Sequence, residues 1–285
     1  MNYATLYQIR QYLELATDET GNDTLLARFA YLSSRFLESK KITGRKFYPS
    51  VETRRFDVPA NDWLNVGRDL LSITTLTNGD STVIDFSNFF VEPYNTYPKT
   101  AIVLNRGTGI WWRVTADGEW RKVIQVAGLW GYHDDYGNAW IDSDDAVADA
   151  AGINASVTSI TVTDADGTAS DLDSPRFQVG HLIRIESEYL DVQAVNTSTN
   201  VLTVKRGVNG STAATHALST QIDVFRPIDN IQMAAMRLAV WRYRQKDVNS
   251  FDRTTILGAG IAITPAAIPA DVLSLLPVDG GIVLG

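Results

Sequence analysis

The residues of this sequence that could carry out chemistry are restricted in kind. The chain has 285 residues, with no cysteine and three histidines. The lack of cysteine excludes a thiolate nucleophile, a disulfide and a cysteine-ligated zinc ion. The remaining candidates are carboxylates and histidines, which could act as acid and base or bind a hard cation.

Two short clusters come closest to such a site. His133-Asp134-Asp135 offers three metal ligands, but consecutive residues cannot easily converge on one ion. The run from Asp164 to Asp173 has the carboxylate content of a calcium loop. Its Gly167 is misplaced, however, and Pro175 stands where a bidentate carboxylate is needed. A solvated turn is the simpler interpretation of the second cluster.

Motifs for nucleotide binding and for nucleophilic catalysis are missing. Gly258-Ala259-Gly260 is followed by no third glycine at dinucleotide spacing, and no phosphate-loop lysine is present. His181 and His216 have no nucleophile motif beside them. We therefore expect no catalytic residue, no cofactor and no metal. A hydrolase that uses the aspartate-rich segment remains the enzyme alternative.

The charge of the chain is segregated along the sequence. The net charge is -8, so nucleic-acid binding through bulk charge is excluded. Residues 134–175 hold ten aspartates and no lysine, arginine or glutamate, so this segment carries -10 and the remainder +2, whereas residues 35–55 carry +5. Two segments of opposite charge suggest that copies of the chain pack in a fixed orientation in an assembly. An acidic linker beside an ordinary basic helix end is the alternative.

Hydrophobic periodicity predicts the elements that position these residues. Helices are expected over Thr5–Ala16 and Thr24–Lys41, and another begins near Pro227 and continues to Lys246. From Phe47 to Tyr132 the period is two, which predicts an antiparallel meander with a tight, positive-φ turn at Asn78-Gly79. Its strands are predicted at Leu70–Leu76, Thr82–Phe86, Lys99–Asn105, Ile110–Val114 and Arg121–Ala127.

A second strand-rich unit follows an acidic, alanine-rich stretch. Five short strands in about seventy residues suit a small barrel or sandwich. They are predicted at Val157–Thr163, His181–Glu186, Tyr189–Val195, Val201–Arg206 and Gln221–Phe225.

The fold class predicted from this order is α+β. We expect a small helical connector core over residues 1–49 and 226–250, and an antiparallel β region over 50–133. Residues 134–225 are expected to form an acidic linker and an inserted small β-barrel or sandwich, and residues 251–285 an extended C-terminal arm. No run of about 18 uninterrupted apolar residues occurs, so no membrane span is expected.

The order of the elements resembles a known family. Two helices lead to Gly44-Arg45-Lys46-Phe47-Tyr48, then to Val126-Ala127-Gly128-Leu129-Trp130-Gly131-Tyr132, and a late helix opens with Pro227-Ile228-Asp229-Asn230-Ile231. This pattern resembles the head-to-tail connector (adaptor, or head-completion) family of tailed bacteriophages. The resemblance covers residues 1–133 and 226–250. Compact members run almost directly from the second segment into the last helix, so residues 134–225 are an insertion here.

The inserted unit has a resemblance of its own. Gly180 to Val192, followed by Val204 to His216, is similar to small β modules embedded in phage virion proteins. The role of such modules is structural or adhesive.

The connector resemblance implies a non-enzymatic virion protein. It implies a homo-oligomeric ring of twelve copies under the portal protein, joined on its other side to a tail or stopper (tail-completion) protein. DNA would pass through the lumen without sequence-specific binding. The protein would lie at the head–tail interface of the virion after assembly in the host cytoplasm. The alternative is a phage tail or capsid surface adhesin whose β insert binds host carbohydrate through exposed aromatic residues.

Four groups of residues are the candidate interaction sites. The C-terminal segment from Ile256 to Gly285 has no lysine or arginine, only two aspartates, and several prolines. It predicts a portal-binding arm, because an apolar tail left in water favours aggregation. The residues of this arm are Ile256, Leu257, Ile261, Ile263, Ile268, Val272, Leu273 and Leu276. The late helix is apolar on several faces and predicts inter-subunit packing by Met233, Met236, Val240, Trp241 and Tyr243. Electrostatic docking is assigned to Arg45, Lys46, Arg54 and Arg55. An acidic surface, which could line the lumen, is assigned to Asp134, Asp135, Asp142, Asp144 and Asp145.

Overall fold

A computed structural model describes residues 1–246, 254–256, 261–263 and 268–277. Four α-helices are present within these ranges: α1 (Leu6–Tyr12), α2 (Asp23–Glu38), α3 (Asp229–Gln245) and α4 (Ala270–Ser274). Thr5 caps α1, since its hydroxyl accepts from the Gln8 amide while the Gln8 side chain accepts from the Thr5 amide. No described helix is long and apolar enough to cross a membrane.

The first sheet is antiparallel and has six strands. They are β1 (Ser50–Phe56), β2 (Trp63–Thr77), β3 (Val83–Ile84), β4 (Phe89–Glu92), β5 (Lys99–Leu104) and β6 (Ile124–Trp130). Their order is β1-β6-β2-β5-β4, and β3 pairs with the end of β2. Burial alternates strictly along β6, so one of its faces fills the core of this sheet.

The second sheet is also antiparallel, with strands β7 (Trp140–Ala146), β8 (Ser159–Thr161), β9 (Leu182–Ile185), β10 (Glu188–Asn196), β11 (Val201–Lys205) and β12 (Gln221–Phe225). Their order is β7-β12-β9-β10-β11-β8. A bridge between Val147 and Val162 joins the two outer strands, and the Ala148 amide donates to the Thr161 carbonyl at 2.8 Å. The sheet therefore closes on itself around a core that includes Ile183 and Leu190.

A separate hairpin lies in the C-terminal part of the chain. Strands β13 (Thr254–Ile256) and β14 (Ile261–Ile263) pair with each other in antiparallel register. Neither pairs with another strand in the described ranges.

The predicted helical connector core is wrong. The fold is rich in β structure, with twelve strands in two antiparallel sheets and 21% helix. Helices α1 to α3 do not close a core by themselves, because α1 has 7 residues and the apolar faces of the helices also meet side chains from outside them. Tyr48 stacks on Tyr3 at 4.6 Å and contacts Phe225 at the end of β12. The helices and the adjoining ends of the sheets therefore share one core, which is distinct from the core of each sheet; we call it the shared core.

The predicted strand Ile110–Val114 is absent, and the turn at Asn78-Gly79 differs from the prediction. The side chain of Asn78 donates to the Trp111 carbonyl at 2.8 Å and accepts from the Arg113 amide at 2.8 Å, so a side chain takes the place of a partner strand. Neither Asn78 nor Gly79 has positive φ; Ser81 has φ of 68° instead. Gly79 is needed because a Cβ there would lie 2.0 Å from the Arg113 carbonyl oxygen.

Candidate functional site

The first candidate metal cluster is not assembled. His133 is buried, its Nε2 lies 3.1 Å from the Arg226 carbonyl oxygen, and its Nδ1 accepts from the Asp135 amide at 3.1 Å. Burial lowers the pKa of His133. With both ring nitrogens engaged by the backbone, His133 links residues 133–135 to the segment that precedes α3.

The second candidate cluster surrounds an arginine. The guanidinium of buried Arg176 donates to the carbonyls of Ser143 (3.0 Å), Asp144 (2.8 Å) and Thr168 (3.0 Å). A Cβ on Gly167 would lie 2.3 Å from Arg176 Nη2, so this glycine makes room for the cation. Within the described ranges, no group of three or more histidine, cysteine, aspartate or glutamate residues could hold a metal ion.

Asp145 belongs to the same centre and departs from the prediction of an acidic surface. Its side chain is buried and accepts from the amides of Ala146 (2.7 Å), Thr163 (2.9 Å) and Asp164 (2.9 Å). Its Oδ2 lies 3.8 Å from Arg176 Nη1. This carboxylate thus satisfies backbone donors where the second sheet closes. The segment predicted to be a linker contains strand β7.

A third polar centre lies inside the second sheet. Arg206 donates to both carboxylate oxygens of Glu188, at 2.6 and 2.7 Å, and the ring of His216 lies between Glu186 and Glu188 at 2.8 and 2.9 Å. Burial acts to raise the pKa of Glu188, but hydrogen bonds from Arg206, the Ala214 amide and His216 outweigh it and hold that pKa below the usual range. These groups are bound to one another, so we assign them a structural role.

His181 lines a polar cavity of about 240 Å³ between the N-terminal residues and the second sheet. Its Nδ1 accepts from the Gln178 amide at 3.2 Å, and burial lowers its pKa to about 4. Asp173 lines the same cavity and accepts from the Gln8 side chain at 2.8 Å. The bond from Gln8 to Asp173 therefore joins α1 to the β unit. Thr5 also lines this cavity, but its hydroxyl already donates to the Gln178 side chain.

The predicted docking cations are not equivalent. Arg45 is buried, faces Asp69 with Nε 3.4 Å from Oδ1, and lies over the Tyr132 ring at 4.6 Å, so it is not a surface docking residue. Arg54 lies over the Trp130 ring at 4.0 Å and shares Glu52 with exposed Lys46. Arg55 is exposed.

The residues predicted to pack between subunits mostly serve their own chain. Val240 is buried on α3, and Met236, Trp241 and Tyr243 pack against the shared core. Met233 is the exposed member of this group.

The predicted portal-binding arm is partly folded back on its own chain. Val272 on α4 is fully buried in the shared core, against which Ile268 and Leu276 also pack. Arg237 of α3 forms an ion pair with Asp271 of α4. These contacts remove Val272 from the surface of the chain. Leu273 is half-buried, and Leu257 lies outside the described residues. Ile256, Ile261 and Ile263 belong to the hairpin strands.

The remaining residues of the predicted acidic surface are exposed. They are Asp134, Asp135, Asp142 and Asp144. On β7, Asp142 and Asp144 flank the buried Ser143.

An aromatic surface on the first sheet was not predicted. Phe86, Phe90 and Tyr94 are 61%, 48% and 67% exposed. They line a groove of about 510 Å³ whose other walls are Leu70–Ile73 of β2, Phe89, Val91, Tyr97 and Lys99. We call this the aromatic groove. The run of five aromatic residues between positions 86 and 97 was the available signal in the sequence.

One wall of the aromatic groove is an open strand edge. Strand β2 pairs with β5 as far as Leu70 and with β3 from Leu76 onward. Between these points, residues 71–75 pair only with β6, on the other side, within the described chain. Strand β5 begins only at Lys99, directly after Pro98, which has no amide hydrogen to donate to a ladder. The groove therefore combines apolar walls with a stretch of β2 that has no paired strand on that side within the described chain.

The sequence matches no protein-family model and no curated protein.

Proposed function

We propose that this chain is a structural adaptor at the head–tail interface of a tailed phage, forming a ring under the portal. The observation that carries the proposal is the aromatic groove with its exposed Phe86, Phe90 and Tyr94. A large contiguous patch of exposed apolar surface is uncommon on a monomeric protein, and it usually marks a site of protein–protein contact.

The polar centres of the molecule support an assembly role over an enzymatic one. Glu188, Asp145 and His133 are each held by a buried ion pair or by backbone groups. In the polar cavity beside α1, the Thr5 hydroxyl donates to the Gln178 side chain and His181 accepts from the Gln178 amide, so both groups are already engaged. The resemblance in the order of elements adds the phage setting, with the portal on one side and a tail or stopper protein on the other.

The exposed carboxylates of β7 also fit this role. Exposed Asp142 and Asp144 could line the DNA channel, where carboxylates repel the phosphate backbone and let the duplex slide. The adhesin alternative loses its main support, because the exposed large hydrophobic residue of the described insert is Leu218 and none of its aromatic residues is exposed.

The test is co-expression with the portal protein of the same phage, followed by electron microscopy of the purified complex. We expect rings docked on the portal by the natural chain and a loss of docked rings in the double variant Phe86→Ser, Phe90→Ser. Trp120→Ser is the matched control, because Trp120 is also exposed but lies outside the groove. Single, unassociated chains that never bind the portal would refute the proposal.

A further inference from the structure

The open edge of β2 lacks a partner strand, and the β13–β14 hairpin lacks a third strand, within the described chain. Two-stranded hairpins are marginally stable in water and gain stability from a third strand. An open strand edge next to apolar walls is a template for an added strand. The described chain contains both features and does not pair them with each other.

We propose that the β13–β14 hairpin of one copy adds to residues 71–75 of β2 in a neighbouring copy and covers the aromatic groove. The free stretch of β2 has five residues, and each hairpin strand has three, so one hairpin strand fits along the open edge. The backbone ladder supplies affinity, and the groove accepts the side chains.

The composition of the hairpin matches the groove. No charged residue occurs from Thr254 to Ala270, and Ile256, Ile261 and Ile263 are β-branched. Among the described residues that line the groove, the charged one is Lys99, which already donates to the carbonyls of Pro93 and Tyr94, both at 2.8 Å. An uncharged strand therefore enters the groove without leaving a new charge unpaired.

A hairpin contact between two copies is compatible with a ring. Each chain offers a hairpin and accepts one at a different surface, which is the head-to-tail interface that closes into rings. The inference rests on the proposed adaptor role for its setting. The contact itself forms between copies of this chain and does not involve the portal protein. A failure to bind the portal would therefore not contradict the hairpin contact.

The experiment uses cross-linking between singly substituted chains, since the natural chain has no cysteine. Ser72→Cys marks the exposed open edge, and Thr254→Cys and Thr255→Cys mark the hairpin. Neighbouring positions on a strand face opposite sides, so one of these two shares the side of residue 72. Chains of different tag mass are mixed and oxidised. We expect a reducible heterodimer for one of the two pairings and none with Ser198→Cys, on an exposed turn of the second sheet.

A second measurement reports on the same contact without cross-linking. Thr255→Pro removes an amide and disrupts the added strand, whereas Thr255→Ala keeps the amide. We expect light scattering to show a loss of oligomer for Thr255→Pro alone. Rings that persist in Thr255→Pro, together with heterodimers no more abundant than in the Ser198→Cys control, would overturn the hairpin contact while leaving the adaptor role intact. A chain that stays monomeric in every variant would overturn the contact as well.

Discussion

Glu188 and Arg206 form a two-point ion pair inside the second sheet, and neither side chain is substantially exposed. Arg206 Nε and Nη2 lie 2.6 and 2.7 Å from the two carboxylate oxygens of Glu188. Glu188 also accepts from the amides of Gly207 and Ala214. One carboxylate therefore fixes the end of β11 and the following loop around the start of β10.

Replacing Glu188 should strongly destabilise the protein. Glu188→Gln leaves the Arg206 guanidinium buried without its counter-charge, which typically costs about 3–5 kcal/mol. Urea unfolding followed by circular dichroism measures the change in the free energy of unfolding. Glu186→Gln is the matched control, because Glu186 contacts the same histidine from an exposed position, and we expect a change below about 1 kcal/mol. Equal effects of the two variants would contradict this account.

Asp145 should be far more sensitive to substitution than its neighbour Asp144. Asp145→Asn replaces a charged acceptor of three backbone amides, so we expect a loss of about 2–3 kcal/mol in the free energy of unfolding. Asp144 is exposed and has φ of 54°, a conformation that asparagine tolerates, so Asp144→Asn should change stability by less than about 0.5 kcal/mol. Thermal unfolding of both variants gives the comparison. An Asp145→Asn variant as stable as the natural protein would mean that closure of the second sheet does not depend on this carboxylate.

Gly79 should not tolerate a methyl group. Gly79→Ala places a Cβ 2.0 Å from the Arg113 carbonyl oxygen and 2.9 Å from Val123, so the loop must move away from the Asn78 side chain. We expect a loss of about 1–3 kcal/mol, typical of overpacking. Gly137→Ala is the control, because a Cβ on Gly137 would meet nothing within 4 Å and the φ of this glycine is not positive. The same urea titration measures both, and similar midpoints would contradict the close approach.

Stability should decline with acid before the carboxylates titrate. Burial lowers the pKa of His181 to about 4, whereas an unfolded histidine titrates near 6.5. Between these values the unfolded chain binds a proton that the folded chain does not, so the free energy of unfolding decreases as pH falls from about 6.5 to 4. The contribution of His181 reaches about 3 kcal/mol at pH 4, and His133 acts in the same direction.

Urea unfolding at several pH values tests this dependence. His181→Gln should flatten the slope between pH 6.5 and 4.5, whereas Glu188 contributes its own loss only below its unfolded pKa near 4.5, because its folded pKa is lowered. An unchanged slope in His181→Gln would contradict the assignment of His181 as a buried neutral group.

Elements with strong local signals were predictable from sequence. The predicted helix Thr24–Lys41 lies at Asp23–Glu38, and strands β9 to β12 fall within two residues of their predicted bounds. The alternation of apolar and polar residues marks a strand because successive side chains face opposite sides of a sheet. The acidic strand β7 was not predicted, because the residues at its buried positions, Ser143 and Asp145, are polar. Several of their partners, such as Ile222 and Thr163, lie far along the chain.

The sequence by itself determined that cysteine chemistry is excluded, that many strands are antiparallel, and that charge is segregated along the chain. Only the tertiary structure decided which charges are available. It buried Arg45 and Asp145 while leaving Lys46 and Asp144 exposed, although each pair is adjacent in sequence. It also exposed the aromatic groove and the open edge of β2. The reason is physical: burial and edge pairing depend on contacts between distant segments, whereas periodicity reports only the local face of each element.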